Sequence, residues 1–147
     1  MRPSTRPPSP PAGGAAVELS AVLLDLDGTI TDSAPAIVAS FSATFADLGI
    51  AVPDHATLMG FVGPPLADTF AHYAGLTGPE GARAAALYRS HYRELMHRAP
   101  VYEGMPELVR SLHDAGVPLA LATSKRESLA RQIIDHTGLG PCFDAVA

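Results

Sequence analysis

Four apolar residues, Ala21 to Leu24, run without alternation and stop at Asp25, the pattern of a short strand buried on both faces of a parallel sheet. Asp32, Ser33 and Pro35 then open a segment in which Ile37, Phe41, Phe45 and Leu48 recur at helical spacing before Gly49. A cap, an early proline and that spacing predict an amphipathic helix. Pro53 and Asp54 begin a short second helix, and Phe61-Val62-Gly63-Pro64-Pro65-Leu66 interrupts it before a third that carries Leu66, Phe70 and Tyr73. Gly75 and Gly78 mark its exit, and Pro79 starts a longer helix to about Arg98, with Tyr88, Tyr92, Leu95 and Met96 on one face. Residues 33–98 are thus predicted to be helical.

Beyond Pro100 the pattern changes. Leu108, Val109 and Leu112 mark a helix closed by Gly116, Val117 to Ala122 reads as a second buried strand, and Leu129, Ile133 and Ile134 face inward from a helix over about Arg126 to Thr137. Phe143-Asp144-Ala145-Val146-Ala147 opens a third strand. There is no internal repeat. Strand, helical insertion, helix, strand, helix, strand is the order of an α/β fold with a parallel sheet and a helical module inserted after the first strand. Five of the first eleven residues are proline and Gly13, Gly14, Ala15 and Ala16 follow, so residues 1–18 are expected to form a flexible tail. The core then comprises residues 19–32 and 99–147, and the helical insertion residues 33–98.

Composition narrows the function. The 147 residues include 10 Lys and Arg against 15 Asp and Glu, a formal charge of −5, which argues against nucleic acid as a partner. With 47% hydrophobic and 17% charged residues, the chain has the composition of a folded domain. No run approaches the roughly 18 apolar residues that span a bilayer. Arg2 and Arg6 are followed by Pro, Ser and Gly rather than an apolar stretch, so the start does not read as a secretory signal and the expected compartment is the cytoplasm. The single cysteine, Cys142, is expected to be a small buried apolar residue.

Chemistry concentrates at two strand ends. In Asp25-Leu26-Asp27-Gly28-Thr29 two carboxylates lie two residues apart, where open α/β sheets place ligands. Alternation aims both the same way. So close a pair resists double ionisation, so it takes a divalent cation or a shared proton, and it can split into an ionised nucleophile and a protonatable partner. Gly28 allows a tight turn, and Thr29 offers an N–H and a hydroxyl to a phosphate oxygen. The alternative for this segment is an ordinary polar turn. The second strand ends in Thr123-Ser124-Lys125 before a helix, whose N-terminus can receive an anion; alternatively Thr123 or Ser124 is only a cap. The six histidines show no close helical pair, so structural roles are expected for them. Arg83, Arg89, Arg93 and Arg98 either meet a substrate anion or form a solvated helix face.

The first of these segments resembles motif one of the haloacid dehalogenase-like (HAD) phosphohydrolases, and the Thr123 strand end resembles motif two. The likeness extends over about residues 20–147 through Thr31-Asp32-Ser33, the helical insertion, Val101-Tyr102-Glu103-Gly104-Met105, His136-Thr137-Gly138-Leu139 and Phe143-Asp144. Within that superfamily the chain is similar to the phosphoglycolate phosphatase and 5′-nucleotidase branch, with Phe61-Val62-Gly63-Pro64-Pro65-Leu66 similar to the nucleotidase cap segment. The resemblance implies a Rossmann-like core, incomplete here, and an α-helical cap over 33–98. It implies a phosphatase of a small phosphorylated metabolite, in which Asp25 attacks phosphorus to give an aspartyl phosphate and Asp27 serves as general acid and then base. Mg²⁺ is implied at the Asp25 carboxylate and the Asp27 carbonyl. Thr123, with the backbone N–H groups of Asp27, Gly28 and Ser124, is implied to hold the phosphoryl oxygens.

The departures also matter. The family uses a lysine beyond the third strand and acidic residues after the fourth, neither of which precedes Ala147. Lys125, the only lysine, follows motif two and is not assigned that role. The expectation is a C-terminally truncated member, marginally stable and of low or no activity by itself, with a sheet edge left open beside the first strand. Rival readings are a phosphoglucomutase-like phosphotransferase on the same scaffold, a receiver that stores an aspartyl phosphate, and a non-catalytic remnant that binds a partner. A dehalogenase is disfavoured by Asp27, and a phosphonate-cleaving enzyme by the absence of lysine between Asp32 and Arg98. The oligomeric state is not specified by these features.

Overall fold

The computed structural model describes residues 19–147; the proline-rich leader, expected as a tail, lies outside the described residues. Three short strands, β1 (Val22–Leu24), β2 (Leu119–Leu121) and β3 (Ala145–Val146), make one parallel sheet in the order β1-β2-β3. Leu23 lies opposite Ala120, and Leu121 opposite Val146. Parallel neighbours require crossovers. Between β1 and β2 the crossover carries α1 (Ala34–Asp47), α2 (His55–Met59), α3 (Leu66–Ala74), α4 (Gly78–Leu95), a single 3-10 turn at Met96–Arg98 and α5 (Met105–Asp114). Between β2 and β3 it is α6 (Glu127–His136) with a 3-10 turn at Gly140–Cys142.

One continuous apolar core supports this order. In the helical block Phe41 and Phe45 of α1 and Phe70 of α3 are fully buried. The Phe41 ring lies 4.6 Å from Tyr88, 5.1 Å from Phe61 and 5.5 Å from Phe70, centroid to centroid. Tilted aromatic contacts at these distances add to the burial itself. Ser40 and Thr44 share that buried face because their hydroxyls return to the Ala36 and Ser40 carbonyls, each at 2.7 Å, so no polar group is left unpaired there. In the same core Val109, Ile133, Ile134 and Leu139 pack with Leu119 and Leu121 of the sheet.

Several expectations are corrected. Leu119 and Leu121 of β2 are buried on the face they share while Ala120 on the opposite face is half-buried, and burial on both faces fails for β1, where Leu23 is 68% exposed. β1 pairs only with β2 among the described residues. β2 and β3 are shorter than their apolar runs, because pairing extends only where both backbones run side by side. Just before β3 the Asp144 side chain enters the ladder, accepting the Leu119 N–H at 2.9 Å while the Asp144 N–H donates to the Leu119 carbonyl at 2.8 Å. Ser33 precedes α1 without a side-chain cap bond, whereas Asp54 accepts the Thr57 N–H at 2.8 Å and does cap α2. Cys142 is half-buried against the core rather than enclosed. No helix among the described residues is long and apolar enough to cross a membrane.

Candidate active site

Beyond Leu24 the chain turns on Leu26, which is fully buried and whose carbonyl accepts the N–H groups of Ile30 and Thr31, both at 3.0 Å. With Leu26 anchored inward, Asp25 and Asp27 on either side of it are presented to the same cavity. The turn closes through Gly28, whose φ of +78° is a left-handed conformation that favours glycine, and whose N–H donates to the Thr31 carbonyl at 2.8 Å. Asp25 is exposed, and one of its oxygens, Oδ1, accepts the Leu26 N–H at 2.7 Å. The other accepts no hydrogen bond among the described residues.

Asp27 is placed differently. Its Oδ2 lies 3.2 Å from Lys125 Nζ, and its Oδ1 is buried without a hydrogen-bond partner. Such an atom is costly unless a ligand or a proton completes it. Lys125 arrives from the end of β2. The Thr123 hydroxyl accepts the Lys125 N–H at 3.3 Å, which directs the side chain across the cavity. There its ammonium donates to the Tyr92 hydroxyl of α4 at 3.0 Å and sits 4.6 Å from the centre of that ring. Tyr92 in turn stacks on Tyr88, 5.9 Å apart and 7° from parallel.

These contacts set the local protonation. Burial, then Tyr92, then Asp27 push the Tyr88 phenol well above its ordinary value of 10.0. Burial also raises Tyr92, with Lys125 opposing it. For Lys125 burial works against the charge, but Tyr92 and Asp27 outweigh it and the net shift is upward. At neutral pH the site therefore holds an ammonium and two neutral phenols.

The cavity, about 520 Å³, opens between the strand ends and the helical block. Its polar side carries Asp25, Asp27, Asp32, Ser124, Lys125 and Arg126; its other walls include Phe41, Phe61, Tyr88 and Tyr92 with Arg89 at the edge. Of the residues singled out from sequence, Asp25, Asp27, Gly28 and Ser124 meet here, while Thr29 and Thr123 are not among the lining residues. Thr29 is exposed, and the Thr123 hydroxyl is engaged by Lys125. The Gly28 N–H, expected to face a phosphoryl oxygen, is taken by Thr31; the N–H groups of Asp27 and Ser124 have no backbone acceptor among the described residues. α6 starts at Glu127 with Arg126 before it, so neither Thr123 nor Ser124 is its cap. Only Arg89 of the four block arginines lines the cavity.

Sequence reasoning set Lys125 aside, and the structure puts it in the centre. Its signal was present: the one lysine of the chain stands directly after the second strand-end motif. Tyr92 carried no signal beyond helical spacing, because the reach from α4 to the strand ends is a tertiary fact.

For a cation, the free Asp25 oxygen and the Asp27 carbonyl, which accepts no backbone hydrogen bond among the described residues, are hard oxygen donors. No group of three His, Cys, Asp or Glu gathers among those residues. One carboxylate and one carbonyl, with waters completing the shell, fit a small divalent ion that dehydrates reluctantly.

Comparison with known proteins gives the geometry a context. A family profile described as haloacid dehalogenase-like hydrolase matches residues 22–147. The chain is 39% identical over 127 residues to the tyrosine-protein kinase PtkA of Mycobacterium tuberculosis, covering 86% of this chain and 43% of that protein. It is 37% identical over 133 residues to a 5′-nucleotidase of Pseudomonas aeruginosa, covering 90% and 60%. Among solved structures, a haloacid dehalogenase-like family hydrolase from Streptococcus pneumoniae superposes with a TM-score of 0.79 at 32% identity, over 87% of this chain and 60% of that one. The chain thus spans 43% to 60% of the length of these relatives.

Proposed function

The chain belongs to the haloacid dehalogenase-like hydrolases, and from that membership we propose that it carries the nucleophile of a site that hydrolyses phosphomonoesters of small metabolites. The observation that carries this reading is the pair Asp25 and Asp27 at the end of β1, one with a free exposed oxygen and the other with a buried unpartnered one, on a single cavity.

The free Asp25 oxygen attacks phosphorus, forming an acyl phosphate as the bond from phosphorus to the leaving oxygen breaks. Asp27 delivers its proton to that oxygen. It then takes a proton from the water that attacks the acyl phosphate, releasing inorganic phosphate and restoring the Asp25 carboxylate. The N–H groups of Asp27 and Ser124, which have no backbone acceptor among the described residues, donate to the phosphoryl oxygens. The Asp25 carboxylate and the Asp27 carbonyl would hold Mg²⁺, which would supply charge neutralisation at the phosphoryl group. The helical block of residues 33–98 is the cap in this reading, and its aromatic wall contacts the organic part of the substrate. A cavity of about 520 Å³ with aromatic sides suits a nucleoside monophosphate better than the much smaller phosphoglycolate.

The test is turnover of nucleoside monophosphates and phosphoglycolate with Mg²⁺ by the chain and by its Asp25→Asn and Asp27→Asn variants. Asp25→Asn abolishes phosphate release, and Asp27→Asn lowers it about 10²-fold or more for a substrate with a poor leaving group. Phosphate release unchanged in Asp25→Asn overturns the reading. Similarity to a tyrosine-protein kinase makes acceptor choice part of the same assay. Transfer to an added alcohol in place of release would assign a phosphotransferase.

A further inference from the structure

The helical block packs chiefly on itself, α1 and α3 against α4, and its contact with α6 runs through the turn at Met96–Arg98. One side-chain bond among the described residues crosses from the block to the strand-end loops of the cavity, and it is made by Lys125. Its ammonium reaches Asp27 Oδ2 at 3.2 Å on the core side and the Tyr92 hydroxyl at 3.0 Å on the block side. The lysine side chain is only 12% exposed, and its stem leaves a strand end already fixed by the Thr123 bond to its backbone. An ammonium has three donors and no acceptor. Two are committed here, in opposite domains.

We infer that Lys125 is a positioning residue that latches α4 to the catalytic turn, holding the helical block over the cavity and fixing the orientation of the Asp27 carboxylate. This rests on the proposed function only for the word catalytic; the latch itself is a matter of geometry. A charge-assisted bond with little solvent access contributes more than a neutral surface bond, so the closed arrangement is favoured about tenfold by it. The flat guanidinium of arginine keeps the charge but replaces a compact donor by a longer fork, so Lys125→Arg recovers part of the closure and Lys125→Met none. In Tyr92→Phe the ring and its stacking on Tyr88 remain while the acceptor is lost, so it opens the block with little change in packing.

The chain offers a direct probe, since its one lysine gives a single resonance when the lysine side-chain nitrogen is labelled with ¹⁵N. The latch predicts a slowly exchanging ammonium signal whose proton exchange rises about tenfold in Tyr92→Phe. Spin labels at the exposed positions Ser90 and Gln132, in a Cys142→Ser background, read the distance between α4 and α6. The open fraction rises about tenfold in Lys125→Met and in Tyr92→Phe, the double variant goes no further than either single one, and Lys125→Arg lies between. An ammonium exchanging like free lysine, or a distance distribution unchanged in both single variants, overturns the latch. Tyr92→Phe keeps the test open if Lys125→Met fails to fold. Neither readout needs substrate, so a chain that never hydrolyses a phosphomonoester still decides the latch, and a chain that does can still lack it.

Discussion

Phe41 joins the fold to the site, and its removal has a calculable cost. The ring is fully buried, with Tyr88 at 4.6 Å, Phe61 at 5.1 Å, Phe70 at 5.5 Å and Phe45 at 6.4 Å, and it also lines the cavity. Truncating a buried phenylalanine to alanine costs about 3–5 kcal/mol from lost transfer energy and the void left behind. Four aromatic neighbours on two elements besides its own helix and the loop after α2 cannot all move in together, so the upper half of that range, about 4 kcal/mol, is expected for Phe41→Ala. In a chain of 147 residues that is a fall of about 13 °C in Tm. Phe61 is only half-buried, so Phe61→Ala serves as the control at about 2 kcal/mol. Urea denaturation followed by circular dichroism gives both values, compared at equal m. Should Phe41→Ala leave too little folded chain, Phe41→Leu, at about 1.5 kcal/mol, keeps the comparison measurable. A cost for Phe41→Ala below about 1.5 kcal/mol, or no greater than for Phe61→Ala, refutes the claim that the helical block is organised around this ring.

Two further outcomes follow from the same geometry. A Cβ at Gly28 would meet nothing within 4 Å, yet φ is +78°, so Gly28→Ala pays a conformational cost of about 1–2 kcal/mol rather than a steric one; Gly28→Asn recovers part of the denaturation midpoint, and equal midpoints for the glycine and alanine forms contradict this. Tyr88, raised above 10.0 chiefly by burial and then by Tyr92 and Asp27, is protonated in both folded and unfolded chains below pH 10. Its contribution is therefore fully present there and is lost as the pH rises from 10 through the higher folded value. Stability measured from pH 8 to 11 should fall less steeply in Tyr88→Phe, and identical slopes contradict the assignment.

The layout was legible from sequence because it rests on local signals. Helical spacing from Ile37 to Leu48 and the prolines at 35, 53 and 79 placed α1, α2 and α4, and apolar runs ending in polar residues placed β1 and β2. Asp25 and Asp27 were legible for the same reason, since two carboxylates ending an apolar strand are a one-dimensional pattern. What escaped depends on neighbours. The exposure of Leu23 depends on what packs against its face of the sheet, and the engagement of the Gly28 N–H on where Thr31 returns. Lys125 was set aside because the spacing that names its motif says nothing about Tyr92, 33 residues earlier, which decides where the ammonium goes.

The proposed function requires that the Asp25 carboxylate take the phosphoryl group. Incubating the chain with Mg²⁺ and a reactive phosphomonoester, reducing any acyl phosphate with borohydride and mapping the product by mass spectrometry tests it directly. The account predicts homoserine at position 25, absent from Asp25→Asn and from a sample with the divalent cation chelated. A reduced product at another carboxylate, or phosphate release that persists without any adduct at Asp25, contradicts it.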